Sequence, residues 1–211
     1  MSEQQQSLED LQHIKRMMER SSRFISLSGL SGIAAGACAL AGAWVAHQKI
    51  SFRHTARYDL QAILDTSGVQ LLNDLFWIAT VTFIAAFVSA FIFTYLRSKK
   101  DKVPMWGAAT LRLLWNTAIP VAIGGIFILR MMHFGEYELV APACLIFYGL
   151  ALVNGSKYTL GEIRYLGYGM LVLGIINLWY VGYGLYFWAI GFGILHIVYG
   201  IVMWYKHEKG N

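Results

Sequence analysis

The chain has 211 residues, 57% of them hydrophobic and 14% charged, with a formal net charge of +5. A soluble domain carries about 25% charged and about 45–50% apolar residues, so this composition cannot cover a globular surface with polar groups. It also excludes a disordered chain, and with three prolines and two cysteines it is neither collagen-like nor a disulfide scaffold.

The remaining class is an all-α polytopic membrane protein, and the elements follow in chain order. Residues 1–23 are polar and mixed in charge, unlike a signal peptide. Ser7 and Asp10 have capping-box spacing, and Leu8, Leu11, Ile14 and Met18 recur at helical spacing. A short amphipathic helix on the cytoplasmic side is expected here. A six-helix transmembrane domain is expected over 24–205, each span approaching the roughly 20 apolar residues that a bilayer core requires. The first span runs from Phe24 to Val45. An outer connection over 47–70 follows, where Leu60, Ile63 and Leu64 oppose Arg57, Gln61 and Asp65 in the manner of an interfacial helix. The second span covers Leu71 to Leu96 and the third Trp106 to Ile128. The fourth, Val140 to Val153, is the shortest; Pro142 suits its first turn, and the helix can extend back past Glu138. The fifth runs from Tyr165 to Tyr180, the sixth from Leu185 to Tyr205, and residues 206–211 form a cytoplasmic tail. The second span has no period-2 alternation, which excludes a barrel.

Orientation follows from the basic residues. With the N-terminus inside, twelve Lys and Arg fall on inner segments, among them Arg16, Arg97, Lys100, Arg164 and Lys206. Four fall outside: Lys49, Arg53, Arg57 and Arg130. Both termini are therefore expected in the cytoplasm. Trp44, Trp77, Trp179 and Trp188 near outer ends, and Trp106 and Trp204 near inner ends, match an aromatic belt.

In the first span, Ser28, Gly32, Gly36, Ala39 and Ala43 form a stripe of small residues. Such a stripe lets helices approach closely in lipid, either inside the bundle or across a homo-oligomer interface. The sixth span has its own: Ala189, Gly193, His196 and Gly200. His196 falls about eleven residues into its span, near mid-depth, where ionisable groups are rare and default to functional hypotheses. Ser31, Thr82 and Asn116 fall within about two turns of that depth. Pro120 cannot donate to the Asn116 carbonyl four residues earlier, which leaves a free acceptor in the third span. The expectation is a mid-depth polar layer of Ser31, Thr82, Asn116 and His196, serving either as interhelical glue or as a small binding site.

Other chemistry finds little support. Gly29-Leu30-Ser31-Gly32 resembles the serine motif of rhomboid intramembrane proteases, which also carry a histidine in their sixth helix. That family places its serine in the fourth helix, whereas the fourth span here contains no serine, and its His-x-x-x-Asn motif in the second helix is absent. No metal motif, phosphate loop or dinucleotide fingerprint occurs, so no catalytic set, metal or cofactor is expected. Cys38 and Cys144 read as small apolar residues. The positive charge reads as cytoplasmic loops on anionic lipid, without nucleic acid as partner.

Six short-looped helices and glycine-rich text such as Gly169-Met170-Leu171-Val172-Leu173-Gly174-Ile175-Ile176 resemble the small six-helix membrane proteins of the HdeD-like acid-resistance type. The resemblance implies a bacterial inner-membrane protein linked to envelope stress. The functional expectation is a non-enzymatic integral membrane protein with a stress-related or regulatory role. The alternative is a small-solute or ion transporter or channel using the polar layer around His196.

Overall fold

The computed structural model describes residues 28–56, 67–100 and 107–207. The expected N-terminal amphipathic helix, the Arg57–Asp65 interfacial helix and the last residues of the tail lie outside them. The described residues are all-helical, without strands. They form α1 (Gly29–Ala56), α2 (Ser67–Lys100), α3 (Ala108–His133), α4 (Val140–Gly155), α5 (Ile163–Trp179) and a composite sixth rod. That rod opens with α6 (Gly184–Trp188), passes through a π-helical segment (Ala189–Leu195) and continues as α7 (His196–His207). Five of the rods are long and apolar enough to cross a membrane. α5, at 17 residues, is apolar but shorter; it is about 25 Å long, near the lower limit for a span.

Boundaries differ most from the sequence expectation at α1 and α2. α1 continues through Ala56, so residues 47–56 extend the first rod rather than opening a long connection. α2 begins at Ser67 and spans 34 residues, about 50 Å. A hydropathy boundary marks where a sequence turns polar, whereas helical hydrogen bonding continues until a capping or breaking residue stops it. Lys49 and Asp74 pair at 3.2 Å across this α1–α2 extension. The fourth span behaves as its flanks suggested: a single 3₁₀ turn, Tyr137–Leu139, leads into α4, and Pro142 is buried in its first turn.

Connections are tight where glycine permits. α3 stops at Phe134, whose N–H caps the Arg130 and Met131 carbonyls, and Gly135 takes φ +84°. Gly182 takes φ +94° between α5 and α6. Both are left-handed conformations that a side chain would strain.

Packing follows an order that is not the chain order. α1 lies between α2 and the sixth rod, and the sixth rod leans on α4, which carries α3 on one flank and α5 on another. Two glycine seams set the closest approaches. Along α1 and the sixth rod, a Cβ on Gly36 would stand 2.7 Å from the Gly193 carbonyl oxygen, and one on Gly200 would stand 2.6 Å from that of Gly29. Along α4 and α5, Gly149 and Gly167 face each other, each blocking a Cβ on the other at 2.9–3.0 Å. Gly32 and Gly36 of the first-span stripe are thus covered from within the chain by the sixth rod, the intramolecular use of such a surface. Leu145, Met170 and Met203 are the largest fully buried apolar side chains. α2 and α3 each pack on one main neighbour, and much of their apolar surface is exposed, including Val81, Phe83 and Phe87 on α2 and Leu111, Trp115 and Ile126 on α3.

Candidate functional site

The sixth rod positions His196 at the junction of its π segment and α7. Its ring is buried, at 7% relative exposure. The Nδ1 atom lies 3.0 Å from the Gly191 carbonyl oxygen, and Nε2 lies 3.0 Å from the Tyr148 hydroxyl on α4. A carbonyl can only accept, so Nδ1 carries the hydrogen; Nε2 of the neutral ring then accepts from Tyr148. Aromatic rings close the surroundings. Phe192 stacks on the His196 ring at 5.9 Å between centroids and meets Tyr148 and Trp188, each at 5.1 Å. The backbone N–H of His196 goes to the Gly193 carbonyl, so the residue holds the π segment twice, once through its main chain and once through its ring. π turns often coincide with functional sites, which makes this junction the first place to look.

The other three residues of the expected polar layer do not join it. Ser31 donates to the Ser28 carbonyl at 2.6 Å, within its own helix turn. Thr82 is buried against Gly42 of α1, where its hydroxyl and methyl occupy the space a Cβ would take. Asn116 donates its amide to the Arg112 carbonyl at 2.7 Å and faces α4. A single layer over Ser31, Thr82, Asn116 and His196 is therefore corrected to an intrahelical bond at Ser31 and separate contacts of the other three on three helix pairs. The physical reason is local competition. Serine and asparagine reach carbonyls on their own turn more cheaply than they span a helix gap, and depth along a span says nothing about azimuth. Ser31 and His196 thus hydrogen-bond different partners, Ser31 the Ser28 carbonyl and His196 the Tyr148 hydroxyl.

Two partners on α4 were missed. Asn154 donates to the Asn116 main-chain carbonyl at 2.9 Å and to its side-chain oxygen at 3.3 Å. That carbonyl is the acceptor freed by Pro120, so the vacancy inferred from the sequence is filled by a side chain the sequence reading placed beyond the end of its span. Ending the fourth span at Val153 put Asn154 outside; α4 continues to Gly155. Tyr148 lies midway along α4 among apolar residues. Its signal was available, because a tyrosine hydroxyl at mid-span needs a partner.

Comparison with known proteins finds no matching family model, no matching curated protein and no matching solved structure. The site is therefore interpreted from its own chemistry. Among the described residues, no three His, Cys, Asp or Glu side chains gather to hold a metal ion. Asn177, buried in α5, donates to the Tyr180 carbonyl at 3.2 Å and so closes the end of its own helix. The His196–Tyr148 pair can accept and donate hydrogen bonds, and it can hold two helices at a fixed angle. Its ring nitrogens meet a hydroxyl and a main-chain carbonyl.

Proposed function

We propose that the chain is a non-enzymatic, six-span integral membrane protein of a bacterial inner membrane, with both termini cytoplasmic, and that it serves the envelope as a stress-related or regulatory component. The observation that carries this reading is the state of His196. It is the one histidine or carboxylate expected at mid-depth, and both of its ring nitrogens are taken by Tyr148 and the Gly191 carbonyl. A coupling site needs an ionisable group with an unspent valence and an access path; here the ring acts as an internal fastener. The broad exposed apolar faces of α2 and α3 fit contact with lipid tails. The twelve-to-four division of basic residues supports the orientation.

Deletion with phenotyping tests this. The expected result is altered survival under acid or detergent stress, with unchanged uptake across a solute panel. A plasmid copy carrying His196→Leu should restore survival wherever it accumulates in the membrane. Saturable uptake that disappears on deletion, and is not restored by that variant although it is folded, would overturn the reading.

A second reading, a small-solute or ion transporter, is favoured by one observation. The two irregular rods, α3 with its internal proline and the sixth with its π segment, are both fastened to α4 at their irregularities. Interrupted spans are a mark of transporter folds. The same uptake panel separates the two readings.

A further inference from the structure

The sixth rod contains a mechanical feature that the reading above does not require. A π segment holds one residue more than an α-helix of equal length, and the excess can sit at different points along a rod. What fixes its position here is identifiable. The His196 ring holds the Gly191 carbonyl at 3.0 Å, and Tyr148 of α4 holds the ring at 3.0 Å. On the α7 side the seam is rigid. Gly200 lies against the Gly29 carbonyl and the Ile33 main chain, so no residue with a Cβ can rotate into its place, and Gly193 lies against the Leu40 side chain of α1. Toward α6, a Cβ on Gly184 would meet the Ala141 side chain at 3.0 Å, and one on Gly191 would meet the Leu145 and Met170 side chains. Tyr186 reaches His47 at 3.3 Å through an exposed contact, and the rod begins just after Gly182, at φ +94°. Tyr183, Tyr186 and the neighbouring Tyr180 are all exposed.

We propose that Tyr148 and His196 form a latch that fixes the π segment in register, and that opening the latch frees residues 184–192 to move while the glycine seam on α1 stays in place. α4 is a suitable fixed reference. It is bound to α5 through Gly149 and Gly167, and it also holds the proline-freed carbonyl of α3 through Asn154. The moving piece carries Trp188, which packs on Phe192 at 5.1 Å, so opening separates a fluorophore from its neighbour. Tyr186 leaves His47 in the same motion.

The test is amide hydrogen exchange on the full chain in lipid nanodiscs, comparing the parent with Tyr148→Phe, which removes only the hydroxyl. Exchange over residues 184–192 is expected to rise roughly two- to tenfold, the equilibrium change that one lost hydrogen bond produces. Exchange within α1 and α2 is expected to stay unchanged. Tyr165→Phe, at an exposed tyrosine of α5, is the control and should leave every segment unchanged. Unchanged exchange in Tyr148→Phe, or a uniform rise over the whole bundle, would overturn the latch. If Tyr148→Phe does not accumulate, the parent protein decides. Relaxation dispersion at the amides of Tyr186 and Trp188 should report microsecond-to-millisecond exchange, absent at Gly32 and Gly36, and flat profiles at all four would overturn the proposal equally.

Discussion

Substituting alanine for glycine along the α1 seam measures how closely the first and sixth rods are packed. An ideal Cβ on Gly36 would lie 2.7 Å from the Gly193 carbonyl oxygen, against an ordinary contact distance that begins at 3.4 Å. The rods would have to separate by about 0.7 Å, the difference between those values, and the obstacle is main chain, so no side-chain rotation relieves it. A Cβ on Gly32 would meet Gly200 and the His196 carbonyl at 3.2 Å, short by about 0.2 Å. A Cβ on Gly125 of α3 would meet nothing within 4 Å. Alanine is the better helix former by about 1 kcal/mol, and this gain is common to all three sites. Overpacking costs about 1–3 kcal/mol where neighbours cannot move. Gly125→Ala is therefore expected to stabilise by up to about 1 kcal/mol, Gly32→Ala to be near neutral, and Gly36→Ala to destabilise by about 1–2 kcal/mol. Reversible unfolding in mixed micelles, followed by tryptophan fluorescence, gives the order. Equal stability of Gly36→Ala and Gly125→Ala would refute the close α1–α7 seam. The outcome also bears on self-association, because a stripe that faces the sixth rod is not free for a second copy.

Two further outcomes follow from the same structure. Asn154→Ala should destabilise by about 1 kcal/mol, because the Asn116 carbonyl then lacks both its helical donor and its α4 donor; in a Pro120→Ala background the restored amide at 120 can donate to that carbonyl, so the same change should cost measurably less, and equal costs in a double-mutant cycle would refute the assignment. Orientation is checked by membrane-impermeant thiol labelling in a background with Cys38 and Cys144 replaced by alanine: Lys49→Cys should react from outside intact cells and Lys157→Cys only after permeabilisation, the reverse pattern refuting the orientation drawn from the basic residues.

Much of the architecture was legible before any coordinates. Long apolar runs leave the backbone one way to satisfy its polar groups, so the second and third spans could be read from composition alone. Pro120 announced a freed carbonyl at Asn116 because the missing N–H is a property of the residue itself. The spacing of Gly32 and Gly36 announced a close helix contact for a similarly local reason: only absent side chains allow it.

What the tertiary structure decided was partnership. Depth along a span follows from counting residues, but the direction in which a side chain points depends on which rods stand next to one another, and that order is not the chain order here. Ser31, Thr82, Asn116 and His196 share a depth and still belong to separate contacts. Tyr148 and Asn154 became visible as partners only when α4 was found against both the sixth rod and α3. The π segment belongs to the same class of fact. Gly191 and Gly193 permit it, but its position is held by a ring on one rod and a hydroxyl on another. Rise per residue is set locally by the peptide chain, whereas azimuth and contact are set by packing across the whole bundle, and the candidate site is made of the latter.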